Sequence, residues 1–146
     1  MLMLLVALAF VTAVVSAQAQ PSMANVPFEF VAANKSMPSG RYLITNNNPG
    51  TSDLVKIASR TNNASLFTLT TRMQSSAAQE KGKLVFHRYG NRYFLAEIWT
   101  AGQRDGLKLR KSREEKSIER ELASVTSKTE VAQSRYERVE IQLGQQ

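Results

Sequence analysis

Two apolar runs, Leu84–Tyr89 and Arg92–Trp99, meet at the dipeptide Gly90-Asn91. This constrains the fold more than any other feature of the chain. Gly takes up the positive φ that a two-residue loop needs, so Gly-Asn between apolar runs predicts a tight β-hairpin. With those two residues as the whole loop, the register follows. His87 faces Phe94, Val85 faces Ala96, Phe86 faces Leu95 and Arg88 faces Tyr93. One face then carries Val85, His87, Phe94, Ala96 and Ile98. The other carries Leu84, Phe86, Tyr93, Leu95, Glu97 and Trp99. Both faces are substantially apolar, which places the hairpin centrally, covered on both sides at least in part.

Shorter strand signals precede it. Val26, Phe28 and Phe30 alternate with polar or neutral neighbours across Val26–Val31, and Pro27 places that strand at an edge or delays its pairing. Met37-Pro38-Ser39-Gly40 reads as a turn into a strand at Arg41–Thr45. Asn46–Gly50 is a loop of turn formers. Leu54–Ser59 and Leu66–Thr71 read as strands around the loop Arg60–Ala64. Residues 72–82 read as a surface loop, and Leu107–Leu109 as a short strand after the turn at Gly102–Gly106.

The period then changes. Ser112 and Glu115 stand at capping-box spacing, and Ile118, Leu122 and Val125 recur at helical spacing. A helix is expected over about 113–124, packing its narrow apolar side on the sheet. Val139, Ile141 and Leu143 alternate with Arg138, Glu140 and Gln142, so a final strand is expected over about 137–143. Residues 126–136 fit either helix or loop. The fold class expected is mainly β: a single antiparallel sandwich or open barrel, with one helix in the C-terminal region.

Residues 1–19 read as a cleaved signal peptide and 20–146 as one β-rich domain. Met1–Val15 is uncharged and apolar, too short to span a ~30 Å bilayer core comfortably. Ala17-Gln18-Ala19 supplies an A-x-A site, with cleavage expected before Gln20; Val15-Ser16-Ala17 offers a second site before Gln18. No basic residue opens the segment. A periplasmic or secreted location follows. Among 146 residues there is no Cys, which removes disulfides, thiolate metal sites and Cys nucleophiles. The apolar share of 42% is that of a globular chain, so the exported domain must hold itself together by packing. The formal net charge is +7, which favours anionic partners. For an exported protein those are an anionic envelope polymer or a lipid surface. No nucleic-acid-binding motif occurs.

Chemistry-bearing patterns are scarce. The chain has no G-x-S-x-G elbow, no S-x-x-K pair and no Gly-rich phosphate loop. Glu29 and Glu97 are the only acids inside predicted strands before the C-terminal region, and each is expected to meet solvent or a cation. His87, the single His, is expected to be a structural residue beside Phe94. Tyr89, Tyr93, Phe94 and Trp99 form an aromatic cluster, with Arg88 placed to stack on Tyr93. Asn34-Lys35-Ser36 and Asn63-Ala64-Ser65 match the glycosylation sequon. No catalytic, cofactor-binding or metal-ligating residue is assigned.

The stretch from Val26-Pro27-Phe28-Glu29-Phe30 through Pro38-Ser39-Gly40-Arg41-Tyr42 resembles the opening of a family of short secreted acidobacterial proteins of unknown function. So do Tyr93-Phe94-Leu95 with Trp99, Gly106-Leu107 and Ser112-Arg113-Glu114-Glu115. The resemblance implies export and a small β-rich domain. It transfers no site residues. The expected function is that of an exported, non-enzymatic envelope protein, structural or binding. The alternatives are a small periplasmic enzyme or a basic module for nucleic acid or other polyanions.

Overall fold

The computed structural model describes residues 21–46, 54–125 and 136–145. The proposed signal peptide, most of the Asn46–Gly50 loop and nearly all of 126–136 lie outside them. The strands are β1 (Ser22–Val26), β2 (Phe30–Ala32), β3 (Lys35–Met37), β4 (Gly40–Asn46), β5 (Leu54–Ser59) and β6 (Ser65–Gln74). They continue with β7 (Lys83–Tyr89), β8 (Arg92–Trp99) and β9 (Asp105–Leu109). Helix α1 (Arg113–Val125) and strand β10 (Glu137–Gln145) follow.

Eight of these strands close on themselves in the order β1-β4-β5-β6-β9-β8-β7-β10, with every neighbouring pair antiparallel. The fold is therefore a closed barrel with one helix. Strands β4, β5 and β6 run as a meander, and β7, β8 and β9 run as a second one back towards β6. Strand β10 fills the gap between β7 and β1. Closure leaves no unpaired edge in the ring.

Pro27 divides what the alternation presents as one strand. It has no N–H to donate, so β1 ends at Val26 and pairing resumes only at Phe30. The short hairpin β2–β3 turns at Ala33-Asn34, with Ala33 at φ 55°. It lies outside the ring. Val31 pairs in parallel with Phe94 of β8, on the stretch that β9 leaves unpaired, since β9 holds only Glu97, Ile98 and Trp99. From there Phe30 reaches inward, edge-on to Tyr42 at 5.2 Å and to Phe86 at 5.3 Å. Phe28 stacks on Tyr93 at 3.8 Å between centroids.

The barrel interior is a packed apolar core. Tyr42, Phe30, Phe86, Met37, Ile57, Leu84, Val26 and Val55 are all fully buried. Val139, Ile141 and Leu143 of β10 pack against it, as their alternation predicts. The Tyr42 hydroxyl donates to the Pro38 carbonyl, which satisfies its one polar atom and ties down the β3–β4 turn.

The hairpin register holds at His87–Phe94, Phe86–Leu95 and Arg88–Tyr93, then shifts. Val85 pairs with Glu97 rather than Ala96, because Ala96 is the extra residue of a β-bulge. The bulge turns Ile98 inward opposite Leu84, and turns Glu97 and Trp99 to the face of Val85 and His87. The two faces read from simple alternation are thus corrected beyond Ala96. The reason is that regular alternation would put the Glu97 carboxylate in the barrel core, which is far costlier than one bulge.

Trp99 pairs with Gly106 across β8–β9, the seam that closes the ring. A Cβ at Gly106 would stand 2.6 Å from the Trp99 ring, which is itself buried. Gly106→Ala is expected to destabilise the fold by roughly 1–3 kcal/mol through overpacking. Urea denaturation measures this, and a variant as stable as the parent would contradict the seating of Trp99 on Gly106.

Candidate functional site

Two regions of the outer wall carry polar side chains in defined arrangements. The first lies over β7 and β8. Val85, His87, Tyr89, Phe94, Ala96 and Trp99 are buried although they face away from the barrel interior. Helix α1 and Tyr136 lie over this layer. The helix starts as its sequence predicts, with the Glu115 N–H donating to Ser112 Oγ at 3.0 Å. A second tie comes from the Arg113 N–H, which donates to Asn34 Oδ1 of the β2–β3 turn at 3.0 Å.

What holds α1 is not the expected apolar stripe. Leu122 and Val125 are exposed, Ile118 is half-buried, and the one buried helix residue is Glu115. The helix docks through its carboxylates. His87 Nδ1 and Tyr89 Oη both donate to Glu115 Oε1, at 2.7 and 3.3 Å. Tyr89 Oη also reaches Glu119 Oε1 at 3.0 Å, and Lys111 Nζ donates to the same oxygen. Arg92 pairs with Glu114. The Tyr136 ring stacks on His87 at 3.7 Å.

The polar groups of this layer bond to one another. His87 is walled in by Glu115 and Tyr136. No buried side-chain nitrogen or oxygen among the described residues lacks a partner. Nor do the described residues hold a group of three or more His, Cys, Asp or Glu that could bind a metal ion. Glu29 and Glu97 serve separate partners. Glu29 Oε1 accepts from Ser36 Oγ at 2.6 Å. Glu97 accepts from Trp99 Nε1 at 2.8 Å and from both terminal nitrogens of Arg138. Arg138 Nε donates in turn to Glu140, which Lys83 also meets at 3.1 Å. Arg88 lies over Tyr93 at 5.5 Å, the stacking expected from their register, and its guanidinium also binds Glu137.

The second region is the wall of β4, β5 and β6. These three strands contain no acidic residue. Inward positions Tyr42, Ile44, Val55, Ile57 and Thr68 are buried. Outward, Leu54 lies opposite Leu69 and Lys56 opposite Phe67. Phe67 is 54% exposed and Leu69 66%, and Lys56 Nζ sits 5.4 Å above the Phe67 ring. At the β5–β6 loop end, Met23, Arg41, Arg60, Thr61, Asn62 and Asn63 line an open dish of about 420 Å³. Three of the loop's amides are occupied: those of Thr61 and Asn62 donate to Ser59 Oγ, and that of Ala64 to Asn62 Oδ1. The dish offers chiefly the guanidiniums of Arg41 and Arg60. No carboxylate among the described residues pairs with Arg41, Lys56 or Arg60. The strand alternation contained the signal for this wall, in that Phe67 and Leu69 fall on the face opposite buried Thr68.

Comparison with protein-family models, with curated proteins and with solved structures found no match.

The helix anchor has a pH signature. Burial raises the Glu119 carboxyl, but hydrogen bonds from Lys111 and Tyr89 and the Lys111 charge outweigh it and hold it below 4.5. Burial, the Glu119 hydrogen bond and the two carboxylates push the Tyr89 hydroxyl up. A lowered carboxyl stabilises the fold above its unfolded-state value, and that contribution is lost as pH falls through the folded value. Glu119→Gln is expected to lose roughly 1–2 kcal/mol near pH 7. The gap to the parent should narrow below about pH 4. Urea denaturation at both pH values checks this, and a gap unchanged in acid would contradict an ionic anchor.

Proposed function

We propose that this chain is an exported, non-enzymatic binding protein of the cell envelope, working through its outer wall on an anionic envelope polymer or lipid surface. The observation that carries the reading is the β4–β6 wall. Its strands hold no acidic residue, and Arg41, Lys56 and, in the β5–β6 loop, Arg60 have no carboxylate partner among the described residues. The packed barrel interior supports it too, because side chains such as Tyr42 and Phe86 occupy the space a lipocalin-like ligand would need. The apolar N-terminal segment with its A-x-A site supports export, as does the resemblance to short secreted acidobacterial proteins. The engagement of His87, Glu29 and Glu97 with structural partners favours binding over catalysis.

The test combines location and affinity. The gene, with its upstream region, is expressed in a Gram-negative host, and the fractionated product is read at its N-terminus by mass spectrometry. A periplasmic or secreted product starting at Gln20 or Gln18 is expected. That product should bind a soluble polyanion such as heparin, with affinity falling steeply between ~0.05 and ~0.5 M salt as screening shortens. A cytoplasmic product that keeps Met1 would overturn export. Affinity for neither heparin nor anionic vesicles would overturn the binding reading.

A further inference from the structure

We infer that the outer wall of β4–β6 docks on an anionic lipid bilayer, with Phe67 and Leu69 entering its interface and Lys56, Arg41 and Arg60 holding its headgroups. This rests on the envelope-binding reading and names its partner. Charge complementarity is the first argument. Among the described residues strands β4–β6 present cations and no acid, whereas on the opposite side Glu97, Glu114, Glu115, Glu119, Glu137 and Glu140 are each engaged by a basic side chain or His87.

The exposed apolar pair is the second argument. A surface that reads only charge has no use for a Phe and a Leu held out into water side by side. Interfacial binding uses both: apolar side chains enter the headgroup–acyl boundary while neighbouring cations meet anionic lipid. Lys56 over the Phe67 ring already has this form, with its stem along apolar surface and its charge at the edge. The dish between Arg41 and Arg60 stands at one end of the same wall and has room for a phosphate headgroup. The barrel itself would lie on the membrane rather than cross it. Its apolar side chains point inward, the inverse of a membrane-spanning barrel. Among the described residues no helix is long and apolar enough to cross.

The chain has no Cys, so a single Cys can carry an environment-sensitive dye. Leu69→Cys reports the wall, and Ser117→Cys reports the exposed side of α1. The labelled exported chain is mixed with phosphatidylglycerol vesicles, phosphatidylcholine vesicles or heparin. The expected result is a blue shift at position 69 with phosphatidylglycerol alone, and none at position 117. Phe67→Ser should weaken vesicle sedimentation about tenfold or more. Several results would overturn the inference. One is vesicle binding with position 69 unshifted. Another is a shift at 69 that appears without lipid and grows with protein concentration, which would assign the patch to a second copy. Heparin binding without vesicle binding would overturn the lipid inference and leave the envelope-polymer reading standing. Binding to neither would overturn both.

Discussion

Strand β8 has to line the barrel with Leu95 and Ile98 while presenting Phe94, Glu97 and Trp99 to the layer outside. A regular strand cannot do this, because positions 95, 97 and 99 share one face. The bulge at Ala96 resolves the conflict by one residue's displacement. Its consequences run through the molecule. Ile98 completes the core opposite Leu84. Trp99 reaches the face of Gly106 and closes the ring onto β9. Glu97 lands within reach of Arg138 and of the Trp99 indole N–H. Where β9 lets go of β8, the β2–β3 hairpin takes up the strand and sends Phe30 into the core.

The outer layer that results buries His87, Glu97 and Glu115. A buried ion pair is weak support for stability in itself, since desolvation opposes the attraction. Here every member is satisfied, and removal of one partner would leave a charge stranded under α1. The helix is therefore fixed in position by geometry rather than by apolar area. Leu122 shares the face of Glu115 and Glu119 but lies beyond the last of these anchors, and it stays exposed together with Val125.

Much of the architecture was legible in residue order. Gly90-Asn91 located the central hairpin, Ser112 and Glu115 located the helix start, and Val139, Ile141 and Leu143 located the last strand. Less local features escaped. The bulge has no Gly or Pro to announce it; its one trace was Glu97 on an otherwise apolar face. The β2–β3 turn uses Ala33 at positive φ, where a Gly or Asn would have been the usual sign. Closure of the ring depends on β6–β9, β7–β10 and β1–β10 pairing between distant segments, which no local pattern encodes. The helix anchor escaped because the Ser112–Glu115 spacing signals only the cap, whereas the Glu115 carboxylate binds His87 and Tyr89, which no local pattern announces. Of the outer wall, the alternation of Phe67, Thr68 and Leu69 was visible, but the placing of Lys56 over Phe67 and of Arg41 beside Arg60 required the strand order.

One side of the surface has its carboxylates matched, whereas on the β4–β6 wall Arg41, Lys56 and Arg60 meet no carboxylate among the described residues. On that division rests the proposal that the β4–β6 wall is the binding face. Hydroxyl-radical footprinting of the exported chain, free and bound to anionic vesicles, tests it directly. Phe67, Leu69 and Leu54 should become protected on binding while Leu122 and Val125 keep their reactivity. Protection of Leu122 and Val125 with Phe67 and Leu69 unchanged would place the binding face on α1 and contradict the account.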